Sequence, residues 1–492
     1  MKKRLLILSL ICCLFLCGCE ADIVSDDILG AYVDTENEDD DKVKMTDIKL
    51  LYYPDMDTNP ITTTCYANHE LLKLVYSPLI RVGESFRPYC ELAEGYTLNG
   101  NILTVTLRSG LVFSDGSAVS SSDVVKSVKS VLANTQSPYY NAVSAFSKYY
   151  ASDDKTIVFE LKSNDIDAPA LLDIPIMKNG QSGIGCGAYA FSVKNGKNVL
   201  VANEKYFKTP SVSQITLVET KSDKYLSSLF SMGELDVISV AGYDDLSLIS
   251  LRDYTPVTSL SNNFIYIGLN FNNPVFADVN VRKAISVCID RDKIAQGSLV
   301  NLVKSTVYPF NPDWYRMKVY NVDANPSYTN SEIQNAVNLL KDKPLKLAVP
   351  KNSDIRLTVA NELVTRFNEL GLTLELIELE SAEYTTAVTN GNYELYLGET
   401  AISRTMDPTY LYSTNGKMNY TGFSNLQLDS HFEKFKSGET GFDTYLDAFY
   451  ESMPVIPLFF RKNVMYCASG ISGFTQLSPW NSLGDITTVM LK

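Results

Sequence analysis

The sequence predicts an α/β protein, and three observations carry that prediction. Short runs alternate apolar and polar residues in the manner of strands, as at 102–107. Other stretches repeat apolar residues with helical spacing, as after Asp278. Between residues 345 and 379 the order is strand, helix, strand, which favours a parallel pair with a right-handed crossover. At about 150 residues per domain, 492 residues make about three globular units. With 45% apolar and 20% charged residues, disorder, collagen and coiled coil are excluded. A formal charge of -14 argues against a protein that grips nucleic acid, since counterion release needs a basic face.

Residues 1–19 carry Lys2, Lys3 and Arg4, then an uncharged, mainly apolar run from 5 to 16. That run is too short for a mature transmembrane helix and suits a signal peptide. Its ending, Leu16-Cys17-Gly18-Cys19, resembles a bacterial lipobox, which implies a mature chain that begins at a lipidated Cys19. Residues 20–47 hold eleven acidic residues against Lys42 and Lys44, so they are expected to repel one another into an extended, disordered tether.

The body then follows in order. A strand-like run covers 48–53, Asn59-Pro60 marks a turn, and a helix is expected over 67–76. Strands are expected at 79–82, 96–98 and 102–107. Ser120 and Asp123 form a helix-start signature, after which Val124, Val128, Val131 and Leu132 line one face. Another strand falls at 157–161. Val281, Ala284, Ile285, Cys288 and Ile289 make the stripe of an amphipathic helix. In the strand-helix-strand unit, Gly371 is the helix stop.

Signals for bond-making chemistry are poor. The glycine cluster at 180–187 runs into the alternating residues 189–193, whereas a phosphate loop must open a helix. The chain has two histidines, His69 and His431, and neither stands beside a nucleophile motif or at metal-ligand spacing from a cysteine. No cofactor, metal or catalytic residue is expected. Five cysteines remain beyond Cys19, namely Cys65, Cys90, Cys186, Cys288 and Cys467, so at least one thiol is unpaired within the chain.

The segment from Leu107-Arg108-Ser109-Gly110-Leu111 through Phe113-Ser114-Asp115-Gly116, followed by the helix start at Ser120, resembles the family 5 extracellular solute-binding proteins of ABC importers. This is the oligopeptide- and dipeptide-binding group. Further matches come in order: Asn59-Pro60, Leu92-Ala93-Glu94, Gly185-Cys186-Gly187-Ala188-Tyr189, Asn203 to Phe207, Gly233 to Asp236, Val281-Arg282-Lys283-Ala284-Ile285, Asp290-Arg291, Asp407-Pro408 and Pro454 to Leu458.

The resemblance implies a bilobed, type II, flytrap-like periplasmic-binding-protein fold with an inserted domain. Its first lobe would be 48–66 with 186–262 and 455–492, its inserted domain 67–185 and its second lobe 263–454. It implies a non-enzymatic, lipid-anchored, monomeric receptor on the outer face of a bacterium, which hands a peptide or similar small solute to permease subunits. Receptors for anionic, metal-complex or sugar solutes, and a surface sensor without transport, are the alternatives. In peptide-binding relatives the ligand backbone pairs with two extended segments, which match Thr64, Cys65 and Tyr66, and Ala401, Ile402 and Ser403. Arg108, Asp115, Gly116 and Arg282 are expected to be structural.

One departure stands out. Where relatives place an aspartate for the peptide's ammonium, three residues before Asp407-Pro408, this chain has Arg404. Arg461 also stands where relatives tend to present a ring to the cleft. Two guanidinium groups there would favour an anionic or N-terminally blocked ligand, unless Asp407 takes over as the anchor.

Overall fold

The computed structural model describes residues 47–491, apart from 84–85, 241–250, 319–326, 475–477, 479 and 488. The signal sequence, Cys19 and the acidic tether up to residue 46 therefore lie outside the described residues. Most expected elements form within a residue or two of their predicted bounds, including a strand at Asp47–Tyr52 and helices at Tyr66–Val75, Ser121–Leu132 and Val279–Cys288.

Asp47–Tyr52 pairs in parallel with Gln214–Glu219, and Lys197–Ala202 and Tyr189–Lys194 complete a four-stranded sheet. A second sheet runs in the order Ala93–Asn99, Ile102–Leu107, Thr156–Leu161, Phe146–Ala151, all antiparallel. The Ser121–Leu132 helix packs on it through Val124, Val128 and Val131, all fully buried. The Asp123 carboxylate accepts from the Ser120 N–H at 3.0 Å, so the predicted start signature holds the first turn. Both sheets share one apolar core.

The remaining large sheet has seven strands. Their order is Val237–Val240, Val455–Ala468, Tyr254–Leu269, Leu395–Ala401, Leu345–Pro350 and Leu374–Leu379, with Val303–Ser305 beside Val455–Ala468. Leu345–Pro350 and Leu374–Leu379 are parallel across the Asp354–Glu369 helix, as the strand-helix-strand reading requires. Alternation divides this sheet between two cores. Ile265, Ile267, Leu395 and Leu397 face the helices Val279–Cys288 and Asp354–Glu369, while Phe264, Tyr266, Tyr396 and Phe460 face Leu426–Lys436 and Phe442–Ser452.

Two strands of 16 and 14 residues, Tyr254–Leu269 and Val455–Ala468, connect the halves of this bilobed α/β molecule. At one end, Met465, Cys467 and Ala468 belong to the core shared by the two smaller sheets; at the other, Ile265, Ile267, Leu458 and Phe459 belong to the core of the large sheet. Between the two ends their ladder slips register, between Leu260 and Phe264. Residues 455–460, expected with the first lobe, pack into the large-sheet cores.

The two halves are also clasped by charge. Lys436, buried in the Leu426–Lys436 helix, reaches Asp165 at 2.6 Å and Asp167 at 3.0 Å. Lys318 holds the other oxygen of Asp167 at 2.7 Å, and the Ile166 N–H donates to the Lys436 carbonyl at 2.8 Å. Val82, Phe86 and Ala170 add apolar contacts across the same boundary.

Candidate functional site

Asn59 builds the turn that leads into the first predicted ligand segment. Its carbonyl accepts from the Thr63 N–H at 3.0 Å and its side chain from the Ile61 N–H at 3.1 Å. The chain then runs extended through Thr64 and Cys65 and enters the Tyr66–Val75 helix, with Cys65 at φ -75° and ψ 112°. Thr64 is exposed, Cys65 half-buried and Tyr66 45% exposed. Tyr66 borders a cavity of about 60 Å³ with apolar walls that include Leu51, Leu71, Ile238 and Met465. At its floor the buried Glu70 carboxylate is bonded by Lys73 and by the Ser482 N–H at 2.7 Å. Burial pushes this carboxyl up, but Lys73, His69 and Ser482 together hold it below the usual range.

The second segment ends the Leu395–Ala401 strand. One edge is paired with Asn263–Leu269, while on the other edge only Leu395 and Tyr396 pair with Leu347 and Ala348. Toward Ala401, then, that second edge carries no ladder among the described residues. Ile402 turns inward, with its N–H on the Asn262 carbonyl at 2.9 Å, and the Tyr410 hydroxyl donates to the Ala401 carbonyl at 3.0 Å. Ala401 and Ser403 are exposed.

Arg404 leaves this segment and crosses to the opposite half. Its guanidinium lies over the Trp480 ring at 4.5 Å and over the Tyr139 ring at 5.2 Å, and its Nε stands 4.0 Å from Asp173 Oδ2. The side chain is only 10% exposed. The Tyr139 hydroxyl bonds His69 Nε2 at 2.9 Å. Burial first, then the Lys73 charge, depresses the His69 pKa to about 3, so that ring is neutral near pH 7. Asp173 is oriented by the Val82 N–H at 3.1 Å. Arg404 is thus linked through Tyr139 and His69 to the helix that begins at Tyr66, and the Tyr66 hydroxyl stands 3.5 Å from Ser482 Oγ, two residues from Trp480.

The other two predicted residues bond to the second segment and its strand, with the Asp407 N–H donating to Ser403 Oγ at 3.1 Å. Arg461 Nη1 pairs with Glu399 at 3.0 Å, and Arg356 approaches the same carboxylate at 3.8 Å. Arg461 and Arg404 share no described partner. Asp407 Oδ1 accepts from the Thr409 N–H at 2.9 Å and its hydroxyl at 2.6 Å, shaping the turn after Pro408.

Sequence reasoning missed Tyr139, Asp173 and Trp480. Trp480 carried a signal as one of only two tryptophans in the chain, and it packs at the edge of the core that buries the other, Trp314. Among the described residues no group of three or more His, Cys, Asp or Glu is placed to hold a metal, and no helix is long and apolar enough to cross a membrane.

The profile of bacterial extracellular solute-binding proteins, family 5 (middle region), matches residues 87–422. Oligopeptide-binding protein AppA of Bacillus subtilis is 25% identical over 264 residues, covering 48% of this chain and 48% of that protein, so the match spans about half of the curated relative. Among solved structures, the ABC transporter substrate-binding protein CtaP of Listeria monocytogenes superposes with a TM-score of 0.73 at 20% identity, covering 91% of this chain and 100% of that one. NikZ of Campylobacter jejuni, in complex with Ni(L-His), gives a TM-score of 0.63 at 16% identity, covering 91% and 99%. With a matching profile over most of its body and the same fold in solved members, this chain belongs to the bacterial extracellular solute-binding proteins, family 5.

Proposed function

We propose that this protein is the receptor of an ABC importer, anchored by lipid at Cys19 on the outer face of a bacterium, and that it captures peptides or similar small solutes as a monomer. The solute lies between the lobes and passes unaltered to a membrane permease. The lobes are those expected from the sequence, with residues 455–460 moved to the second lobe. The observation that carries this reading is a nearly buried cation, Arg404, that follows segment 401–403 and is linked through Tyr139 and His69 to the helix that begins at Tyr66. Bare edge at Ala401 suits an added strand, so main-chain pairing would hold a peptide with little regard to its side chains. The oligopeptide-binding relative supports the ligand class.

Arg404 in place of a carboxylate disfavours a free ammonium at that end and favours an anionic or N-terminally blocked ligand. A chelate such as that carried by NikZ is the second reading, because its carboxylates would also suit Arg404. Native mass spectrometry of protein purified from its own host separates the two by mass. Peptide should be found; a metal complex, or sugar alone, would displace the peptide reading. By calorimetry, Arg404→Asp should restore binding of free-amine peptides, and a variant with unchanged preferences would remove Arg404 from the site.

A further inference from the structure

Arg404 Nε and Trp480 Nε1 are both buried, and neither finds an acceptor among the described residues. They belong to groups in contact, with the guanidinium 4.5 Å from the indole ring centre. An unpaired buried donor costs free energy that a single bound acceptor recovers, and two neighbouring donors of this kind exclude a third donor such as an ammonium.

The acceptor's charge follows from the groups around it. Arg404, Arg81 and Lys73 face Asp173, Glu91 and Glu70. Arg404 has Asp173 at 4.0 Å, Arg81 has Glu91 at 3.8 Å, and Lys73 is bonded to Glu70. His69 is neutral near pH 7, and the exposed Lys208 reaches only the far oxygen of Glu91, at 3.6 Å. Every buried cation here already has its anion. A ligand carboxylate beside Arg404 would therefore also sit beside Asp173, and in this poorly solvated place the repulsion offsets the attraction. An uncharged carbonyl oxygen satisfies both donors without that cost.

We propose that Arg404 Nε and Trp480 Nε1 together receive a neutral amide carbonyl of the ligand, making Trp480 a specificity-determining residue. This rests on the peptide reading above and narrows it, from anionic or blocked ligands to those that present an amide carbonyl. Such a carbonyl comes either from an acylated amino end or from an internal peptide unit of a ligand shifted past Arg404.

The test uses random pentapeptide pools with acetylated, succinylated and free amino ends, and a free-amine heptapeptide pool, with binding read by calorimetry. Acetylated pentapeptides should bind about tenfold more tightly than free-amine ones, and no more weakly than succinylated ones. Free-amine heptapeptides that match the acetylated pool identify the carbonyl as internal; weak ones identify it as the acyl cap. Trp480→Phe keeps a ring under the guanidinium and removes the N–H, while Arg404→Lys keeps the charge and removes Nε–H. Each should weaken acetylated peptides about fivefold and so narrow their advantage over free-amine pentapeptides, with thermal melting confirming that at least one variant is folded. Tighter binding of succinylated or free-amine pentapeptides, or unchanged affinity in a folded variant, overturns the inference and leaves the peptide reading standing. Failure of all four pools takes down the peptide reading, and this inference with it.

Discussion

Arg282 shows how a charge can be spent on the scaffold. Nε donates to the Met453 carbonyl at 3.1 Å, Nη1 to Phe276 at 2.6 Å and Ala277 at 3.1 Å, and Nη2 to Ser452 at 2.6 Å, while the guanidinium lies over Phe271. One side chain thereby ties the C-terminal end of the Phe442–Ser452 helix to the turn before Val279–Cys288. Arg108 does similar work, donating to the Glu91 carbonyl at 2.8 Å, and Asp115 bonds the Ser117 N–H at 3.0 Å with Gly116 at φ +88°. These residues are structural, as their sequence contexts suggest. Arg282→Met fills the space but strands four carbonyls, so it should cost about 3 kcal/mol, read by urea unfolding. A loss under about 0.5 kcal/mol, the level of an ordinary surface change, would show that water replaces the guanidinium at no penalty.

Among elements, the glycine cluster at 180–187 settles as a packing device. The Gly187 N–H donates to the Val75 carbonyl at 2.8 Å, and a Cβ there would stand 2.3 Å from the Leu74 carbonyl oxygen. These glycines let the chain press on the end of the Tyr66–Val75 helix, which carries Tyr66, His69 and Glu70 into the site. Gly187→Ala should therefore lower the melting temperature and weaken ligand binding together, because the helix must shift; a stable variant with wild-type affinity would contradict the coupling. The local strands and helices were legible because each has one apolar face and a clear stop. The two long strands were not: Ser259, Ser261, Asn262 and Asn263, and opposite them Arg461, Lys462 and Asn463, interrupt the apolar alternation where the strands pass between cores. In the candidate site, Arg404 was singled out by its place before Asp407-Pro408, whereas its neighbours Tyr139, Asp173 and Trp480 lie far from it in sequence and meet it only through the fold.

For the molecule as a whole, the clasp of Lys436 and Lys318 with Asp165 and Asp167 joins the two halves one residue from Arg404, since Lys436 also donates to the Thr405 carbonyl at 3.1 Å. A receptor that opens along this boundary has to break it. Burial pushes the Asp167 carboxyl up, but Lys436 and Lys318 outweigh it and hold the pKa down; Asp165 stays raised, by burial above all. Burial likewise works against Lys436, and the two aspartates lift its pKa above the usual lysine value. The depressed Asp167 contributes stability that is present above its unfolded pKa and is lost as pH falls through the folded one. The raised Lys436 contributes below its unfolded pKa and loses that only as pH rises through the folded value. The raised Asp165 opposes the other two once it ionises, so near pH 7 the clasp rests on Lys436. Lys436→Met then leaves Asp165 without its cation and Asp167 with Lys318 alone, at a cost of roughly 3 kcal/mol near neutral pH. That deficit should shrink as pH falls from neutral into the acid range, because Asp165, raised by burial and without its cation in the variant, takes up a proton and no longer needs that cation. Thermal melts of wild type and variant across this range measure it, and a deficit that stays constant or grows toward acid would place the aspartates' charge elsewhere. Small-angle scattering of the same ligand-free pair reads the opening, since the variant should be the more extended if the halves part along the clasp. Identical scattering profiles would mean that these two halves travel together and that opening follows another boundary.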